Sequence, residues 1–335
     1  MAVTRVLTGI KTSGTPHLGN YVGAIRPAIQ SSQQANTLSF FFLADFHALN
    51  SVYDPAQIVQ STREIAATWL ACGLDPDKVI FYRQSDIPEI PELCLLLNGM
   101  TAKGLMNRAT AYKDAVQKNT EAGEDADFGI NMGLYNYPIL MAADILMFNA
   151  HQVPVGKDQR QHIEMTRDIA ARFNHHYGDH FVLPEAIIGE NTAVLDGLDG
   201  RKMSKSYNNT IPLFLEEKPL RKHINKIKTN LLEPGDPKDP DDSSVFQIWQ
   251  AFATAEQSAE MRKEFNDGIA WGEAKKRLFE LVNDHLAEAR QRYQGFIAEP
   301  EVVENILQQG AKKARDYSAP FLKTLRNAVG LRPLS

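Results

Sequence analysis

The chain has 335 residues, a formal net charge of −5, 43% hydrophobic and 23% charged residues. These values are ordinary for a soluble globular protein, leave room for two domains and exclude a polycation that binds nucleic acid by bulk charge alone. Cys72 and Cys94 lie inside apolar runs, which excludes a disulfide framework or a cysteine zinc site and points to a reducing, cytoplasmic setting. No basic-then-apolar leader and no uncharged apolar run of about 18 residues is present, so no secretory signal and no membrane span is expected.

Residues 3–7 form a short β-branched run and predict a first strand. In residues 9–26, Gly9, Gly14 and Pro16 break any regular element before His17-Leu18-Gly19-Asn20 opens an apolar-periodic segment with Val22, Ile25 and Ile29. A strand, a glycine-bearing loop and a helix start aim backbone N–H groups and a helix dipole at an anion above the strand end. A plain tight turn fits the same residues. The spacing matches neither the dinucleotide fingerprint nor a Walker A loop.

Residues 38–44 are continuously apolar and predict a strand buried on both faces. Asp54-Pro55 reads as an N-cap and first helical residue, with the helix running to Cys72 and stopped by Gly73. Residues 79–82 predict a strand and 90–106 an interrupted helix. Residues 113–129 are polar, acidic and weakly periodic, and are expected to form a mobile loop. Pro138 is expected to start a helix that runs through Phe148. A short strand is expected at 152–155, a helix at 158–177 closed by Gly178, and one more strand at 194–198 before Asp199-Gly200.

Strands alternating with helices predict an α/β fold, a Rossmann-like doubly wound parallel sheet. From about Phe214 only helical periodicity remains. Its stripes are Ala274, Leu278, Leu281, Leu286, Ala289 and Tyr293, then Val303, Ile306, Ala314, Phe321 and Leu325. The expected division is a catalytic domain over 1–207 and an all-helical C-terminal domain over 208–335.

Ligands of such sheets sit at the carboxyl ends of strands, and four polar clusters follow predicted strands. They are residues 9–26, Asp45 with His47, Gly156-Lys157-Asp158-Gln159, and Arg201 to Ser206. Lys202 and Lys205, among small hydroxyl residues and beside Gly200, make a cationic loop able to close on a polyphosphate. Asp144 stands in the middle of the apolar run 139–148, where a carboxylate is costly unless paired; a solvent-facing position is the plain alternative. Tyr137, Met141, Asp144 and Phe148 share one helical stripe.

His17-Leu18-Gly19-Asn20 and Lys202-Met203-Ser204-Lys205-Ser206 together resemble the HIGH and KMSKS signatures of the class I aminoacyl-tRNA synthetases. The second is verbatim; the first ends in asparagine. Asp45-Phe46-His47-Ala48, Ala142-Ala143-Asp144-Ile145-Leu146 and Val153-Pro154-Val155-Gly156-Lys157-Asp158-Gln159 narrow the likeness to the bacterial tryptophanyl-tRNA synthetases. The resemblance runs from about Arg5 into the C-terminal helices.

The resemblance implies ATP-dependent ligation of L-tryptophan to its tRNA through a tryptophanyl-adenylate. Catalysis is then positioning and charge stabilisation of the phosphoryl group, with His17, Asn20, Lys202 and Lys205 as donors. Asn20 can donate through its amide. ATP contacts are implied at Lys11, Thr12, Ser13, Gly19, Asn20, Gly156, Lys157, Asp158, Lys202, Met203, Ser204 and Lys205. Tryptophan contacts are implied at Leu7, Gly9, His47, Tyr137, Met141, Asp144 and Gln159, with Asp144 accepting the indole N–H and Tyr137 and Gln159 at the ammonium. Mg²⁺ is expected with ATP and without a carboxylate cage. A homodimer with tRNA across both subunits is also implied, the helical domain reading the anticodon, with Lys218 to Lys228 as its basic helix. His162, His175 and His176 read as structural or surface histidines, and no metal site is expected.

Two departures stand out. Many bacterial relatives have Gln-Pro where this chain has Lys11-Thr12. The loop after Tyr112 is longer and has Ala115 where relatives place a phosphate-binding lysine. Lys11 is expected to supply that charge in part, with Lys113 and Lys118 as competitors. The alternatives are a tyrosyl-tRNA synthetase, against which Asp144 argues, a small nucleotidyltransferase, and a catalytically silent synthetase paralogue that binds RNA.

Overall fold

The computed structural model describes residues 3–12, 14–188 and 194–334. Among these residues five parallel strands form one sheet: β1 (Thr4–Lys11), β2 (Thr37–Ala44), β3 (Ile80–Arg83), β4 (Gln152–Pro154) and β5 (Glu185–Ile187). Their order is β3-β2-β1-β4-β5. Thr4 pairs with Thr37 and Lys11 with Ala44, Phe40 with Ile80, Val6 with Gln152, and Gln152 with Glu185. The winding reverses between β1 and β4, which opens a ligand crevice at the carboxyl ends of those strands. Residues 39–44 of β2 are buried, as a central strand covered by helices on both faces requires.

The helix Pro55–Ala71 starts where expected: the Asp54 carboxylate accepts from Ala56 N, and Gly73 ends it at φ +103°. The helix Arg160–Tyr177 likewise stops at Gly178, φ +94°. Among the described residues five α-helices follow the sheet: Glu217–Asn225, Ser244–Phe252, Ala255–Asn266, Trp271–Ala298 and Pro300–Ala328. Four of them build a core of their own around Phe246, Phe265, Leu278 and Leu286, and Leu18, Val22 and Met203 join it.

The helix Pro300–Ala328 does something else. Val303 and Leu307 pack with Phe41, Trp69 and Phe81, and Ala311, Ala314 and Leu325 with Phe40, Tyr82 and Phe148. It lies along edge strand β3 so closely that a Cβ on Gly310 would fall 1.6 Å from the Phe81 carbonyl oxygen. A glycine there lets a helix cover an edge that would otherwise offer unpaired peptide groups.

Three expectations need correction. Residues 110–121 form the helix Thr110–Glu121, with the expected mobile loop absent from that part. None of its residues is buried, so no apolar period marked it; Tyr112 packs edge-on against Tyr135, and Gln161 Oε1 accepts from Thr110 N at 2.9 Å. The next helix begins at Met132, not at Pro138, because Asn131 caps it by accepting from Leu134 N; Pro138 lies inside and forgoes one backbone bond. Residues 194–198 add no strand to the sheet; Asp196 forms an isolated antiparallel bridge to Lys202. The last strand is instead β5, three residues with no apolar run.

Candidate active site

The phosphate-side residues leave β1 at Lys11. Thr12 is fully buried, and its hydroxyl has no partner among the described residues; Ser13 lies outside the described residues. Gly14 takes φ +95°, open only to glycine at low cost, and its N–H donates to Ser61 Oγ at 2.8 Å. His17 caps the short helix Leu18–Asn20 reciprocally. Asn20 N donates to His17 Nδ1 at 3.3 Å, and His17 N donates to Asn20 Oδ1 at 3.2 Å. With Nδ1 accepting, the ring proton is assigned to Nε2. Burial, then the Lys205 charge, pushes His17 down to about 4, so near neutral pH it is a neutral N–H donor. A side chain on Gly19 would crowd the imidazole, 3.1 Å from His17 Cε1.

The lysine loop stands on the helical core, not on a sheet strand as expected. Gly197 N donates to Arg201 O and Met203 N to Leu195 O, and Met203 is buried among Leu18, Val22, Ile211 and Leu213. Leu18 N donates to Ile211 O and Leu213 N to Pro16 O, which stitches this core to residues 9–26. Ser204 Oγ accepts from Ser206 N, turning the chain so that Lys205 Nζ donates to the Gly14 carbonyl at 2.7 Å. Lys202 is exposed at the loop's mouth. The loop's interior brace is Asn209, 2% exposed: its Oδ1 accepts from Ser204 N, and its Nδ2 faces Asp199 Oδ1 at 2.7 Å and the carbonyls of Arg201 and Lys202.

Asp144 is 0% exposed, which removes the solvent-facing alternative. His47 Nε2 donates to its Oδ2 at 3.0 Å, and Gln84 Nε2 donates to Oδ1 at 2.8 Å and to Oδ2 at 3.0 Å. Burial raises the Asp144 carboxyl while these donors hold it down. Nearby, the Tyr137 hydroxyl meets His162 Nε2, and His162 Nδ1 lies 3.0 Å from Gln159 Oε1. Buried His162 thus joins the two residues expected at the ammonium; burial lowers it, and pushes the Tyr137 phenol up to about 12.

Met141, four residues after Tyr137 on the same helix, is half-buried, and Leu7 on β1 is buried; both belong to the core on this side of the sheet. Gly9 makes room for Phe42, whose ring would lie 2.4 Å from a Cβ there. Gly156 similarly accommodates Asp158, which, like Lys157, is exposed after β4. Lys11 spans the two sides: its Nζ donates to Ser51 Oγ at 2.8 Å, just beyond the turn carrying His47, and burial lowers its pKa. Lys113 and Lys118 are exposed on the helix Thr110–Glu121. Among the described residues no three His, Cys, Asp or Glu side chains gather to hold a metal, and no helix is long and apolar enough to cross a membrane.

Sequence reasoning missed Gln84 and Asn209. Neutral amides carry no motif, and their partners lie on other elements; only the stranded buried carboxylate of Asp144 signalled that some donor had to exist.

The model of the family "tRNA synthetases class I (W and Y)" matches residues 2–287. A tryptophan–tRNA ligase of Pseudomonas aeruginosa is 62% identical over 99% of this chain and 75% of its own length. One of Neisseria meningitidis is 60% identical over the full length of both. The crystal structure of tryptophanyl-tRNA synthetase from Campylobacter jejuni complexed with ADP and tryptophan superposes with a TM-score of 0.89 at 40% identity, covering 98% of this chain and 100% of that one. The chain belongs to the class I tRNA synthetases for tryptophan and tyrosine, on the bacterial tryptophanyl branch.

Proposed function

We propose that the chain charges tRNA with L-tryptophan in two steps at this edge of the sheet. The tryptophan carboxylate attacks the α-phosphorus of ATP and pyrophosphate leaves, giving tryptophanyl-adenylate. A terminal ribose hydroxyl of the tRNA then takes the aminoacyl group and AMP leaves. No side chain need act as nucleophile; positioned donors stabilise the charge on the phosphoryl oxygens. His17 through Nε2–H, Asn20 through the amide N–H₂ not used in capping, and Lys202 and Lys205 from the opposite loop are those donors. Lys11, Thr12, Gly19, Gly156, Lys157, Asp158, Met203 and Ser204 shape the nucleotide site. Mg²⁺ enters as part of the substrate, with phosphate and water oxygens as its ligands.

The tryptophan assignment rests on the buried Asp144 carboxylate. A carboxylate has about four acceptor positions, and His47 and Gln84 occupy three. An indole N–H fits the fourth. Tyr137 and Gln159 receive the ammonium, and Leu7, Gly9, His47 and Met141 bound the slot. Phenylalanine would leave Asp144 short of a donor, a penalty that reaches roughly 10⁴–10⁵ in comparable sites. The helices of 208–335 read the tRNA, with Lys218, Arg221, Lys222, Lys226 and Lys228 at the contact, in a cytoplasmic homodimer; the free thiols of Cys72 and Cys94 suit a reducing compartment. ATP–pyrophosphate exchange with each amino acid, on wild type and Asp144→Ala, tests the reading. Selectivity for tryptophan should collapse in the variant, and unchanged selectivity would sink the assignment.

A further inference from the structure

We propose that Gln84 is the positioning residue of the tryptophan-specificity site: its amide group holds both oxygens of the Asp144 carboxylate and so sets where the indole acceptor points. This rests on Asp144 being that acceptor.

Gln84 follows β3 in the turn Gln84–Asp86 and is 0% exposed. Its orientation is fixed by an independent group. Phe46 N–H can only donate, and it lies 3.1 Å from Gln84 Oε1. The oxygen must therefore face Phe46, and the N–H₂ must face Asp144, where it spans Oδ1 at 2.8 Å and Oδ2 at 3.0 Å. Gln84 thus ties three carboxyl-end elements together: the turn after β2, the turn after β3 and the helix Met132–Met147.

The other groups around Asp144 do not do this. His47 reaches one oxygen only. Asp45 is turned onto Ser85, accepting from its N–H and hydroxyl. Tyr82 on β3 and Cys94 on the helix Glu89–Met100 feel the Asp144 charge, and no hydrogen bond joins either to it. Gln84 Nε2, nearly equidistant from the two oxygens, holds the carboxylate in place, and the His47 bond to Oδ2 fixes its rotation about that anchor, so the remaining acceptor position keeps one direction. A charge-assisted bond of this kind is worth about ten- to a hundredfold in an equilibrium.

The test measures exchange kinetics of full-length wild type, Gln84→Met, Gln84→Glu and Asp144→Asn, with thermal melting of each. Gln84→Met should raise the KM for tryptophan about tenfold or more and lower the tryptophan-to-phenylalanine ratio, with the KM for ATP within twofold. Gln84→Glu separates positioning from bulk. Its carboxyl can donate to Asp144 only when protonated, so its defect in tryptophan KM should shrink from pH 8 to pH 6, a trend absent from wild type and Gln84→Met.

Unchanged tryptophan KM and selectivity in folded Gln84→Met, with Asp144→Asn still impaired, would overturn the proposal while leaving Asp144 as acceptor. Unchanged behaviour of Asp144→Asn would overturn both. Equal losses in both KM values, tracking the melting temperature and independent of pH in Gln84→Glu, would reduce Gln84 to a structural residue and also overturn the proposal.

Discussion

Lys205 Nζ donates to the backbone carbonyl of Gly14 at 2.7 Å, across 191 residues of chain. A carbonyl is a weaker acceptor for an ammonium than a phosphate oxygen, so an arriving nucleotide competes for this lysine at the place where it is already poised. Lys205→Ala should lower the exchange rate by about 10²–10³-fold and leave tryptophan affinity in equilibrium dialysis unchanged.

His17 gives a signed pH dependence. Its folded-state value is about 4, below the ordinary 6.5, because burial and Lys205 disfavour the imidazolium. The unfolded chain therefore binds the proton first. Its contribution to stability is complete above about pH 6.5 and is lost as pH falls toward 4. His17→Gln should flatten part of the decline in melting temperature across that window, with no comparable change between pH 7 and 8.

Asn209 holds Ser204, Asp199 and the carbonyls of Arg201 and Lys202 in one place. Asn209→Ala should cost about 2–3 kcal/mol in denaturant unfolding. It should also depress kcat for adenylate formation more than the KM for tryptophan, because the lysine loop loses its brace while Asp144 keeps its partners. Stopped-flow measurement of adenylate formation separates these effects.

Lys11 and the helix lysines make opposite predictions. Lys11→Gln should slow adenylate formation about ten- to a hundredfold, whereas Lys113→Gln and Lys118→Gln should stay within about twofold. The reverse pattern in single-turnover assays would move the missing positive charge to the helix Thr110–Glu121.

What the sequence disclosed follows the physics of each signal. Continuous apolarity marked β2, Asp54-Pro55 and Gly73 marked a helix, and a carboxylate among aliphatic residues marked Asp144; each is a local departure from average composition. The helix Thr110–Glu121 and β5 stayed hidden because neither buries a patterned face. Pro138 misled because a proline suits a helix start, whereas the helix capped by Asn131 had already begun at Met132, six residues earlier. Gln84, Asn209 and His162 owe their roles to partners brought in by the fold, and a side chain's partner across the fold leaves no mark on its own sequence neighbourhood.

The helix Pro300–Ala328 sits flush on β3 through Gly310, and this sets an order of assembly on the ribosome. Every strand of the sheet leaves the exit tunnel before this helix does. Until it arrives, the β3 edge and the Phe81 and Trp69 surface beside it lack their cover, so the nascent protein is prone to association up to the point at which this helix emerges.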